Sequence, residues 1–128
     1  MDNLEELVVS GAEMNRNLVA EVLSPFARLD KDNATMLPHD GWPQLKVDQK
    51  VLVYLVSRKA MSALEFPLDE EAAGAKTVAQ DAGLPSGTAN PSLRRLLGNR
   101  VVAQTSEKKY YVPNHAMPRV RTMILGTE

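Results

Sequence analysis

Nineteen consecutive residues, Lys46 to Leu64, contain neither glycine nor proline, and six of them in a row, Val51 to Val56, are apolar. Such a stretch predicts a helix about 28 Å long at ~1.5 Å per residue, with Asp48 near its start where the helix dipole favours a negative charge. A helix with one wetted side breaks its apolar pattern every third or fourth position. Nothing breaks the run here, so opposite sides of one helix must be covered, either by the rest of the chain or by a second copy.

The candidates for that cover lie on both sides of the helix. Residues 1 to 23 read as helical, with Leu4, Leu7, Val8, Met14, Leu18, Val19 and Val22 near a 3.6-residue period that Gly11 interrupts. Ser24-Pro25 stops this element, because a residue before proline is pushed out of the helical region. Phe26 to Leu29 and Ala34 to Leu37 read as the arms of a short hairpin, joined by Asp30-Lys31-Asp32-Asn33, whose side chains can bond their own backbone. His39 to Pro43 reads as a turn, in which the single tryptophan, Trp42, plugs the join between the N-terminal part and the rest of the chain. Beyond the long helix come an acidic loop, Glu65 to Gly74, and a second helix over Ala75 to Ala82. A third helix over Thr88 to Leu97, a hairpin over Val101 to Val112 and a last helix ending near Leu125 complete the chain. Pro118 is expected to make the first turn of that last helix irregular. The fold class expected is mainly α with a small β-hairpin, an α+β arrangement. It divides into an N-terminal extension, residues 1–45, and a domain, residues 46–125.

Composition narrows the function. With 128 residues, 44% of them hydrophobic and 24% charged, the chain is in the range of folded soluble domains. No apolar run approaches the ~20 residues of a membrane span. Asp2, Glu5 and Glu6 stand where a secretory signal needs positive charge, so the expected location is cytoplasmic. The absence of cysteine excludes disulfides, thiolate zinc sites and a cysteine nucleophile. No nucleophile-base set, glycine-rich phosphate loop or paired catalytic carboxylates stand out, so neither an enzyme nor a cofactor is expected. His39 and His115 lack the spacing of a metal site, and Asp69-Glu70-Glu71 reads as a solvated loop before a helix, so no metal is expected either. The net charge of −1 conceals a split: residues 1–84 carry eight Lys and Arg against fourteen Asp and Glu, and residues 85–128 carry seven against two. That asymmetry points to one face meeting a polyanion, with chance clustering as the alternative.

The segment from Val78 to Leu93 carries the most specific pattern. Ala79 is small where two helices cross, Gly83 supplies the positive φ that ends a helix, and Leu84 buries in the corner. Pro85 cannot continue a helix, Ser86 or Thr88 can cap the next, and Pro91 falls in its first turn. Ala89, Leu93 and Leu96 share one face, which leaves Thr88, Asn90, Pro91, Ser92, Arg94 and Arg95 outward or on the flanks.

The order helix, helix, turn, helix, hairpin resembles the winged helix-turn-helix superfamily over residues 46–125. The likeness rests on Val78-Ala79, Gly83-Leu84, Thr88-Ala89, Leu93, Leu96-Leu97 and Val101-Val102, which resemble its buried framework. It implies that Thr88 to Leu97 enters the major groove of double-stranded DNA and that the hairpin wing touches the backbone or minor groove. By that resemblance the DNA-contacting residues are Ser86, Gly87, Thr88, Asn90, Pro91, Ser92, Arg94, Arg95, Lys108 and Lys109. Each has a plainer reading beside it. Arg94 and Arg95 read a guanine edge, touch phosphates or form a solvated face; Asn90 pairs with adenine or caps its helix; Gly87 and Thr88 approach phosphate or only cap. Glu107 at the wing tip weakens the phosphate reading of Lys108 and Lys109.

Two functions are expected on these grounds. The first is sequence-specific binding of duplex DNA by a small homodimeric regulator or DNA-organising protein, joined through the N-terminal helix and the outer face of the helix over residues 46–64. The second is a winged-helix adaptor that binds protein, favoured by a charge near zero where duplex binders are basic.

Overall fold

A computed structural model of the chain describes residues 14–85 and 87–126. The part of the expected N-terminal helix that precedes Met14, and Ser86 with its expected capping role, lie outside the described residues. In chain order the elements are α1 (Arg16–Leu23), β1 (Ala27–Asp30), β2 (Thr35–Pro38), α2 (Val47–Ala63), α3 (Ala75–Ala82), α4 (Ala89–Gly98), β3 (Ala103–Gln104), β4 (Tyr110–Tyr111) and α5 (Met117–Leu125), with 3₁₀ turns at Trp42–Gln44 and Asn114–Ala116. The described residues thus form a mixed α+β fold with two small antiparallel hairpins.

The first hairpin forms as its residues dictate. Ala27 pairs with Pro38 and Asp30 with Thr35. The Asp30 carboxylate accepts from Asp32 N at 3.0 Å and Asn33 Nδ2 at 2.9 Å, so the turn is closed by its own side chains. The Asn33 contact, with the Asp32 amide second, lowers the Asp30 pKa. Gly41 is required by close approach rather than by its φ: a Cβ there would lie 2.8 Å from both the Pro25 carbonyl oxygen and the Phe26 ring. Trp42 is buried beside it, with the Lys50 ammonium 5.7 Å from its ring centroid.

α2 is the axis of the molecule. Val51 to Val56 are all at most 1% exposed, and the cover comes from the same chain: α1, β1 and β2 as well as α3, α4, α5 and β4. The ground on which the sequence suggested a dimer, an uncovered outer face of this helix, is therefore absent. Val19, Val22, Trp42, Val53, Leu93, Val112 and Ile124 belong to one continuous core, which the residues before and after position 46 share. Inside α2, Ser57 Oγ donates to Val53 O at 2.9 Å, which satisfies the one buried hydroxyl of its C-terminal half.

At the far end, Pro118 occupies the first turn of α5, where proline lacks no hydrogen bond that a helix would use. The irregularity expected there lies one step earlier, in the 3₁₀ turn Asn114–Ala116. Met117, Val120 and Ile124 are buried as their spacing requires.

Candidate nucleic-acid interface

The turn between α3 and α4 is built by Gly83, at φ +68°, with Gly83 N and Leu84 N both returning to the end of α3; Leu84 N donates to Ala79 O at 2.9 Å. Leu84 is half-buried against the core. α4 then starts at Ala89, one residue later than expected, and Thr88 makes no side-chain cap bond. Gly87 is exposed at φ +85° and Thr88 is half-buried.

Along α4, Ala89, Leu93 and Leu96 face the core, while Asn90, Pro91, Arg94 and Arg95 are exposed. Ser92 departs from the expected outward set. It is fully buried, and its hydroxyl donates to Asp48 Oδ1 of α2 at 2.6 Å. Arg95 grips the same carboxylate, Nη2 to Oδ1 at 2.7 Å and Nε to Oδ2 at 3.2 Å. The Arg95 hydrogen bond is the main reason the Asp48 carboxyl titrates below its ordinary range, against the opposing effect of its burial, and the same contact raises Arg95. Asp48 therefore fixes α4 to α2 and engages two residues that the sequence offered to DNA.

The β3–β4 hairpin is shorter than expected, with Ala103 opposite Tyr111 and Gln104 opposite Tyr110. Val101 and Val102 are buried ahead of it. Ala73 forms a bridge to Tyr110 on the other side, through Ala73 N to Tyr110 O at 2.9 Å and its reciprocal at 2.8 Å. The loop before α3 thereby adds a third edge to the β3–β4 hairpin. Lys109 is tied to Glu70 of that loop, an ion pair that raises its pKa, while Lys108 stands exposed at the tip with φ +64° and its ammonium has no partner among the described residues. The acidic loop is thus not simply solvated, as its composition suggested. Arg58 donates to Glu71 O and Glu70 O, both at 2.9 Å, and Lys59, 5% exposed, meets Glu71 Oε2 at 3.0 Å and Asn114 Oδ1 at 2.7 Å.

These bridges explain much of the charge split. Arg95–Asp48, Lys109–Glu70 and Arg121–Glu21 join three of the seven cations after residue 84 to acids before it. Arg94 keeps an unpaired guanidinium among the described residues. Arg119 Nη1 caps the end of α4 at Asn99 O, 2.7 Å away.

Sequence reasoning missed two groups. A cleft between α3 and the start of α4 is lined by Lys76, Gln80, Leu84, Gly87 and Asn90; the residue types on α3 gave no reason to single out Lys76 and Gln80 until the helix was placed. Behind α3, Tyr54 donates to Asp81 Oδ2 at 2.6 Å and accepts from Arg58 at 3.0 Å. Burial first, then the Asp81 hydrogen bond, raises the Tyr54 hydroxyl far above its ordinary pKa, so it stays a donor. Comparison of the chain with protein-family models, with curated proteins and with solved structures finds no match.

Proposed function

We propose that residues 46–125 act as a winged-helix domain that binds duplex DNA, with α4 in the major groove and the β3–β4 tip over the adjacent backbone. Support comes from the element order, in which α2, the Ala73 bridge, α3, a glycine turn, α4 and a hairpin succeed one another. The observation that carries the reading is Arg94. It projects from the exposed side of α4, opposite Leu93 and Leu96, and keeps a cation uncommitted where two neighbouring candidates have been taken up by Asp48. Gly87, Thr88, Asn90 and Pro91 complete this surface, Lys108 serves the backbone, and Lys76 and Gln80 flank the phosphates as the first helix of such a motif does. Arg95 and Lys109 act by holding the helix and the wing in place. On this reading the protein is a regulator or DNA-organising factor.

One observation favours the adaptor reading: internal ion pairs consume much of the positive charge, leaving a surface less basic than duplex binders present. Titration of the protein, Arg94→Ala and Lys108→Ala against a selected and a scrambled duplex, across several salt concentrations, separates the two. Loss of Arg94 costs about 1–3 kcal/mol at the selected site and relaxes discrimination at one base pair. Loss of Lys108 weakens all sequences alike and lowers the salt slope by about one. No retardation of any duplex at low salt, or three superimposable curves, transfers the function to protein binding.

A further inference from the structure

α4 has a depression on each of its flanks. One is the cleft against α3, where Lys76, Gln80 and Asn90 meet. On the other flank the start of α2 and one side of α5 form two adjoining open hollows of about 440 and 350 Å³. Met123 is common to both; Lys46, Asp48 and Arg95 line the first, and Pro118 and Arg119 line the second. The helix itself separates the cleft from the hollows. At about 100° per residue, Asn90 and Arg95 stand about 140° apart around α4, with Arg94 between them on the arc away from Ala89, Leu93 and Leu96.

The hollows keep positive charge after internal pairing. Asp48 is the one acid in their lining among the described residues, and Arg95 and Ser92 already engage its oxygens. With that ion pair neutral, Lys46 and Arg119 remain. Both are exposed, and neither has an acidic partner among the described residues. Their frame is fixed: Gln49 Nε2 donates to Met123 O at 3.0 Å and joins α2 to α5, while Arg119 Nη1 reaches Asn99 O at the end of α4. That one bond leaves the other N–H donors of the Arg119 guanidinium open to a ligand.

On the reading of α4 as a helix in the major groove, we propose that Lys46 and Arg119 bind phosphates of one DNA strand while Lys76 and Gln80 meet those of the other. A helix with its side chains is about 10–12 Å across and the groove about 12 Å wide, so a helix that enters it has a sugar-phosphate backbone on each flank. The two flanks of α4 are the α3 cleft and the hollows. A phosphate backbone matches the second flank in charge, because two uncommitted cations face it and the only acid there is already neutralised. Arg95, with 56% of its side chain in solvent, makes this surface continuous with Arg94.

Lys46→Gln and Arg119→Gln each remove one positive charge from the hollows, and Lys31→Gln removes one from the exposed turn of the first hairpin. The full chain and its variants are titrated against the selected and the scrambled duplex across several salt concentrations. Each hollow variant lowers the salt slope by about one and weakens both duplexes alike, by about three- to tenfold at low salt, while Lys31→Gln changes neither. Arg119→Lys keeps the charge and restores the slope, which a defect due only to the lost Asn99 contact would not do. Hydroxyl-radical cleavage of the bound duplex shows protected tracts on both strands, and combining Lys46→Gln with Arg119→Gln removes the tract on one of them. Slopes that match the unmodified protein, a defect no larger than that of Lys31→Gln, or protection of both strands that survives the double variant overturns the assignment of these two residues and leaves the duplex-binding reading standing. No retardation of any duplex at low salt overturns both.

Discussion

Removing one carboxylate and removing its cationic partner should have very different costs at the Lys59–Glu71 pair. Lys59 is almost wholly buried on α2, and its ammonium has Glu71 at 3.0 Å and Asn114 at 2.7 Å. Glu71 keeps 29% of its side chain in solvent. Glu71→Ala leaves a buried ammonium with a neutral amide for company, and breaking a buried pair from one side costs about 3 kcal/mol or more. At about 2.1 cal/mol/K per residue, unfolding entropy for 128 residues is near 0.27 kcal/mol/K, so the melting temperature should fall by about 11 °C. Lys59→Met removes the buried charge itself and fills a similar volume, and Glu71 can turn its freed carboxylate to water, so the cost should stay near or below about 1 kcal/mol. The double variant should recover most of what Glu71→Ala lost. Thermal unfolding of the three variants at neutral pH, analysed as a double-mutant cycle, checks this. Equal losses for both single variants would refute the argument, because they would mean that attraction rather than desolvation sets the energetics of the pair.

Gly83→Val should destabilise the protein by more than ~1 kcal/mol while Gly83→Asn costs clearly less; nothing lies within 4 Å of a Cβ there, so the penalty is one of backbone conformation at φ +68°, and denaturant titration reads it. Gly41→Ala should cost about 1–3 kcal/mol for the opposite reason, overpacking against the Pro25 carbonyl, and the same titration should show its unfolding midpoint falling. The lowered pKa of Asp48 means that its bonds to Arg95 and Ser92 stabilise the fold above the ordinary carboxyl value of 3.8, and that this contribution is lost as pH falls through the lowered value. Asp48→Asn should therefore lose stability at neutral pH and show a shallower acid limb when the melting temperature is tracked from about pH 6 to pH 2; parallel limbs for the two proteins would sink this account.

Local chemistry made the elements legible and left their partners hidden. Lys46 to Leu64 could be read as a helix because length, composition and the lack of breakers agree, and Gly83 because an αL residue ends a helix by its own φ. The Asp30 turn was legible for the same reason, since its bonds reach only two or three residues. Ser92 was misjudged because polarity was read as exposure, whereas Arg95 is exposed as expected and only its ion pair was hidden. Their partner, Asp48, lies 44 and 47 residues away, and the Lys109 and Arg121 partners lie 39 and 100 residues away. No periodicity carries information across such separations. The charge asymmetry, likewise, was visible as a sum; that much of it is spent on attraction between the two parts of one chain depends on which side chains the fold brings within reach.

The central position of α2 has a consequence for how the protein is made. Val56 is sealed in the native state, yet Ile124 and Val120, on the helix that helps to cover α2, are 68 and 64 residues further along the chain. At ~5–20 residues per second, the interval between synthesis of Val56 and of Ile124 is about 3–14 s. Throughout that interval an apolar segment with no polar side stands incompletely covered, which makes the nascent chain a candidate client for chaperones that bind hydrophobic helices.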